Sequence, residues 1–164
     1  MRARQRLRQS LPSLRLALAG SALWGFAMGA TAFFSLLLDH WETPLRVRAV
    51  VVLFALGGAV AFPIGWTLAG LLSHGRRAET AFAAAFVALA ATTVGLTTLF
   101  YALQYRSYYA EWHAEPFTLT WAFQVVFTGL VALYQFAVLG VRLYFPGGFV
   151  ALFATASWFA YRSR

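Results

Sequence analysis

Six polar residues in this chain have side chains fit for acid–base or metal chemistry and sit in two tight groups. Asp39, His40 and Glu42 follow one apolar run. Glu111, His113 and Glu115 precede another, inside the stretch YRSYYAEWHAEPF, residues 105–117. Carboxylate and imidazole together suit zinc or manganese. His40, Glu42, Glu111, His113 and Glu115 are therefore a candidate rim site for a metal or small ligand. If residues 111–115 are extended, the three side chains point one way; if helical, His113 points away from the glutamates. Pro116 favours an extended Glu115. The bland alternative is a solvated rim in which Arg46, Arg48 or Arg106 pairs with these carboxylates, each pair worth little.

A second candidate is uncharged. Gln124, Thr128 and Gln135, with Val131, fall on one helical stripe, because 11 residues are close to three turns. Amides turned to lipid would be left unpaired in hydrocarbon, so the stripe should face protein. Thr93 and Thr97 are the expected partners. The stripe then either joins helices or lines a polar path for a small solute.

Other chemistries are absent from the pattern. The chain has no cysteine, which removes disulfides, thiolate metal sites and iron–sulfur clusters. Three histidines are too few for a histidine-box oxygenase, and His40 and His113 lie in connectors rather than on helices that could face a haem. No strand–turn–helix serine elbow or phosphate-binding glycine loop occurs. No ionisable residue falls mid-span, which argues against a proton-coupled carrier or a voltage sensor. No cofactor is expected.

The elements that must hold these groups are membrane helices. Of 164 residues, 61% are hydrophobic and 11% charged, where a soluble domain has about 45–50% and about 25%. The apolar residues form four blocks at about 16–38, 45–72, 80–104 and 117–141, each close to the ~20 residues that cross a bilayer. The expected fold is an all-α four-transmembrane-helix bundle in which residues 16–145 form the membrane domain. Residues 1–15 form a basic tail, and residues 146–164 a short interfacial or re-entrant C-terminal segment. The first run is too long for a signal-peptide core and reads as an uncleaved span. Thr43 and Pro44 resemble a helix start, and Pro63 should kink the second span.

Small residues mark where such helices can touch. Ser21, Gly25 and Gly29 recur four apart in the first span; Gly57, Ala61 and Gly65 do so in the second; Ala84, Ala88 and Thr92, with Ala91 and Gly95, mark the third. They serve either packing inside the chain or self-association.

All basic residues are arginine, and the net charge is +8. No basic recognition face suggests nucleic acid. With four full spans, Arg142 falls on the side of Arg76 and Arg77, and ten arginines lie on the side of both termini against three opposite. The positive-inside rule then places both termini in the cytoplasm of a bacterial-type inner membrane. The partners expected are the lipid bilayer and other membrane subunits or a second copy. The leading expectation is an accessory or assembly subunit acting through helix contacts. The alternatives are a passive channel or carrier built by oligomerisation, and a rim ligand-binding protein.

Overall fold

The computed structural model describes residues 2–41 and 43–162; Glu42 and Arg164 lie outside them. Six α-helices and no strand occur among the described residues. They are α1 (Arg2–Ser10), α2 (Leu14–Leu38), α3 (Pro44–Ser73), α4 (Ala78–Tyr109), α5 (Leu119–Gln135) and α6 (Gly147–Arg162). Four are long and apolar enough to cross a membrane: α2, α3, α4 with its short continuation to Trp112, and α5 with its continuation to Tyr144.

The helix ends follow local chemistry. Ser13 caps α2 by accepting a hydrogen bond from the Leu16 amide at 3.3 Å. Pro44 opens α3, where its missing amide hydrogen costs nothing, but the Thr43 hydroxyl at the cap position makes no capping bond. α3 continues through Pro63 to Ser73. Gly75, at φ 69, makes the left-handed turn that reverses the chain into α4.

α2, α3 and α4 run antiparallel in succession and touch closely through small residues. A Cβ on Gly25 would sit 2.6 Å from the Ala55 carbonyl oxygen, and one on Gly29 would sit 3.0 Å from the Ala55 Cβ. On the other flank of α3, Gly57 lies directly against Thr97, and a Cβ on Gly65 would reach Thr92 Oγ1 at 2.6 Å. Ala61, between them, is fully buried. Both small-residue motifs are thus occupied inside the chain. The Trp24 indole donates to Thr93 Oγ1 at 2.9 Å and ties α2 to α4 in the interior.

The chain has two ends, which we call the terminal end and the far end. Ser10, His74 and Arg162 lie together at the terminal end. The far end holds the α2–α3 turn and the C-terminus of α4. Four full spans would return Arg142 to the terminal end, beside Arg76 and Arg77. The structure corrects that placement: Arg142 Nη2 is 3.0 Å from Asp39 Oδ2, at the far end. Ser35 Oγ, one turn before the end of α2, donates to the Phe145 carbonyl at 3.2 Å. The reason lies in packing at the end of this helix. α5 continues through a π turn, Phe136–Gly140, and a 3-10 turn, Val141–Tyr144, and leaves the helix at the extended Phe145. Phe136 and Tyr144 pack on Phe54 of α3 and hold that end there.

The return to the terminal end is made by α6. Its Gly148, Leu152, Ala156, Phe159 and Ala160 are buried and lie on one face, three or four apart. Phe149 and Phe153 meet Phe86 and Phe82 of α4 edge to face, at 5.9 and 5.3 Å. Phe159 meets Trp66 of α3 at 4.8 Å. The short C-terminal segment is therefore a helix whose packed face belongs to the bundle.

The basic N-terminal stretch, expected as a tail, is the helix α1, whose end packs on α3. Ser10 is 6% exposed, and its Cβ lies 2.9 Å from where a Cβ on Gly70 would stand.

Replacing Gly25 with valine should lower the unfolding free energy in detergent by about 1–3 kcal/mol, the usual cost of overpacking. Gly95→Ala should be neutral or stabilising by up to about 1 kcal/mol, because nothing lies within 4 Å of that position. Equal effects of the two substitutions, measured by denaturant titration in micelles, would refute the close approach of α2 to α3.

Candidate functional site

The far end of α4, the loop after it and α5 carry most of the polar side chains singled out from the sequence. α4 ends in a 3-10 turn, Ala110–Trp112, and His113 then leaves in an extended conformation. The chain bends back through Phe117, whose φ of 67 is unusual for a bulky residue and whose ring is 91% exposed. Thr118 starts α5 by accepting from the Trp121 amide at 3.2 Å. The loop is thereby laid along the first half of α5.

That arrangement settles the polar stripe. Gln124 Oε1 accepts from the Ala114 amide at 2.7 Å. Thr128 Oγ1 is 3.3 Å from His113 Nε2. Gln135 Oε1 accepts from the Tyr101 hydroxyl at 2.7 Å. All three residues are half-buried and face protein. The partners are not Thr93 and Thr97, which are used elsewhere: Thr93 accepts from Trp24, and Thr97 donates back to the Thr93 carbonyl at 2.8 Å. The stripe and the rim histidine, two separate candidates in the sequence, form one hydrogen-bonded seam.

The seam holds a shape more readily than it does chemistry. A histidine beside a threonine hydroxyl has the composition of a base–nucleophile pair. Here the separation lies just beyond the ~2.7–3.2 Å usual between nitrogen and oxygen, and the His113 ring has no other hydrogen-bond partner among the described residues. The group that would orient the ring is missing from the arrangement.

The rim residues do not converge. His40 sits in the α2–α3 turn at φ 55 and is exposed. Glu111 and Glu115 are exposed as well, and Asp39 is engaged by Arg142. Glu42 lies outside the described residues. Among the described residues, no three of His, Asp and Glu lie close enough to hold a metal ion. Arg106 stacks on Trp121, its guanidinium carbon 5.8 Å from the ring centroid, rather than pairing with a glutamate.

Two interior features escaped the sequence. One is the Trp24–Thr93 bond; a tryptophan in mid-span, with one donor to satisfy, was its only signal. The other is a cavity of about 240 Å³ between α2, α4 and α6, walled by Trp24, Met28, Phe86, Thr93, Tyr144 and Leu152 among others. The Tyr144 hydroxyl is buried beside Thr97. No spacing rule brings Tyr144 against α2 and α4, because residues distant in the chain decide where it packs.

No family model, curated protein or solved structure matches this chain.

Tyr101→Phe and Gln135→Leu should be coupled. A double-mutant cycle of unfolding in mixed micelles should give an interaction energy of about 0.6 kcal/mol, the average for hydrogen bonds between membrane helices. Strict additivity would place the two side chains apart.

Proposed function

We propose that this protein is a membrane assembly subunit that works through helix–helix contact, with α5 as the helix that receives a membrane helix of another chain. The observation that carries this reading is the burial of α5. Only 11% of its most apolar window is buried, against 39%, 39% and 33% in α2, α3 and α4. Gln124, Thr128 and Gln135 are spent inward on the seam, which leaves Phe123, Val126, Phe127, Leu130 and Val131 facing outward. Tyr134 stands on the same outward side, 69% exposed, and its hydroxyl has no hydrogen-bond partner among the described residues. A neighbouring helix would satisfy a hydroxyl that hydrocarbon cannot.

Two further observations support contact over transport. The small-residue faces of α2 and α3 are filled from within, so they are not open to a partner helix. The glutamine carbonyls that would line a polar path are already bonded.

The membrane and orientation belong to the same proposal. With Arg142 at the far end, eight arginines of the described residues attach to the terminal end: Arg2, Arg4, Arg6, Arg8, Arg15, Arg76, Arg77 and Arg162. Arg46, Arg48, Arg106 and Arg142 attach to the far end, which makes the ratio eight to four. The asymmetry supports cytoplasmic termini in a bacterial-type inner membrane.

A photo-reactive residue at Phe127, activated in the native membrane, should give a heavier polypeptide adduct. The same probe at Leu23, which is 71% exposed on α2, should give lipid adducts only. The adduct mass separates a second copy from a different subunit. Lipid adducts alone at Phe127 would overturn the proposal.

A further inference from the structure

At the terminal end three pieces of chain converge: the corner between α1 and α2, the turn between α3 and α4, and the last turn of α6. They enclose a groove of about 420 Å³. Its character changes with depth. The inner lining includes Trp66 and Phe159, both buried, and the half-buried Leu16. The outer lining includes Ser13, His74, Arg76 and Arg162, all exposed.

The groove exists because α1 docks. Gly70 lets Ser10 approach the α3 backbone, and this contact sets the end of α1 as one wall. Among the described residues, the arginines at the mouth have no acidic partner. Asp39 with Arg142, at the far end, is the ion pair found among the described residues, and neither Arg76 nor Arg162 has one. Arg162 is held over the Trp158 ring, its guanidinium carbon 5.2 Å from the centroid. That stacking leaves the guanidinium edge free to donate. Arg6, Arg8, Arg15 and Arg77 surround the same end, and the acid there is Glu79.

We infer that this groove binds an anionic phospholipid. Arg76 and Arg162 take the phosphate, and the first methylenes of an acyl chain lie on Leu16, Trp66 and Phe159. The chemistry selects an amphiphile: guanidinium groups bind phosphate oxygens through paired donors, and the apolar floor offers nothing to a soluble phosphate ester. Basic pockets between helices at a cytoplasmic rim are the general setting for such head groups. This inference stands apart from the α5 reading and needs no partner chain.

The test is native mass spectrometry of the full chain titrated with phosphatidylglycerol or phosphatidylcholine in a mild detergent. The wild type should retain phosphatidylglycerol in preference to phosphatidylcholine. In R76Q/R162Q that affinity should fall about thirtyfold, from two arginines near an anionic head group. The charge-matched variant R6Q/R8Q, altered on the exposed side of α1, should lose less than about threefold by the same reasoning on a screened surface charge. Equal losses in the two variants would reduce the effect to diffuse attraction and overturn the site. So would equal retention of the two lipids. Displacement of bound lipid by millimolar glycerol 3-phosphate would show that a soluble phosphate fills the groove, and would overturn the lipid assignment.

Discussion

The whole arrangement depends on how closely α2 and α4 can approach α3. Helices in lipid gain little from excluding one another's apolar side chains, since the surrounding tails are equally apolar; they gain from dense packing. α3 supplies the thin surface for this on both flanks, Ala55 and Ala59 toward α2 and Gly57, Ala61 and Gly65 toward α4. With both neighbours drawn in, Trp24 of α2 can reach Thr93 of α4, and its buried indole donor is satisfied. Bulkier residues on α3 would separate all three contacts together.

The triple of α2, α3 and α4 leaves a groove along α4, and two unequal pieces occupy it. Phe136, Leu143 and Tyr144 enter it near the far end, where Phe136 and Tyr144 stack on Phe54. α6 fills the rest with alternating aromatics against Phe82 and Phe86. The irregular turns between them let one chain change direction without leaving the groove. α5 is the consequence: its inward side is bonded to the end of α4 and its outward side is left without a protein neighbour. The same division explains the charge pattern. Arg142 is carried to Asp39 instead of to the arginine-rich end, and the arginines that remain at that end border a groove with an apolar floor.

Much of this was legible in the sequence, for a physical reason in each case. A run of apolar residues longer than a bilayer is wide has few alternatives to a helix, so α2, α3 and α4 fall within a few residues of their expected bounds. Small residues four apart give a helix a thin side wherever it packs, so Gly25, Gly29, Gly57, Ala61 and Gly65 were recognisable as contact residues. The inward facing of Gln124, Thr128 and Gln135 followed from the cost of an unpaired amide. The identity of their partners did not follow, because Tyr101 and His113 are 34 and 15 residues away along the chain.

The sequence by itself determined an all-helical membrane chain, its small contact residues and the inward face of its polar stripe. Each of these is decided by local composition and by the solvent. Tertiary structure alone decided that α5 stays with the far end, that α6 makes the return, that Arg142 meets Asp39, and that, among the described residues, the rim carboxylates and histidines do not gather. Those outcomes rest on the contacts of Phe136 and Tyr144 with Phe54 and of α6 with Phe82 and Phe86. Such features arise from the sum of many small packing energies between distant residues, and no stretch of sequence carries that sum on its own.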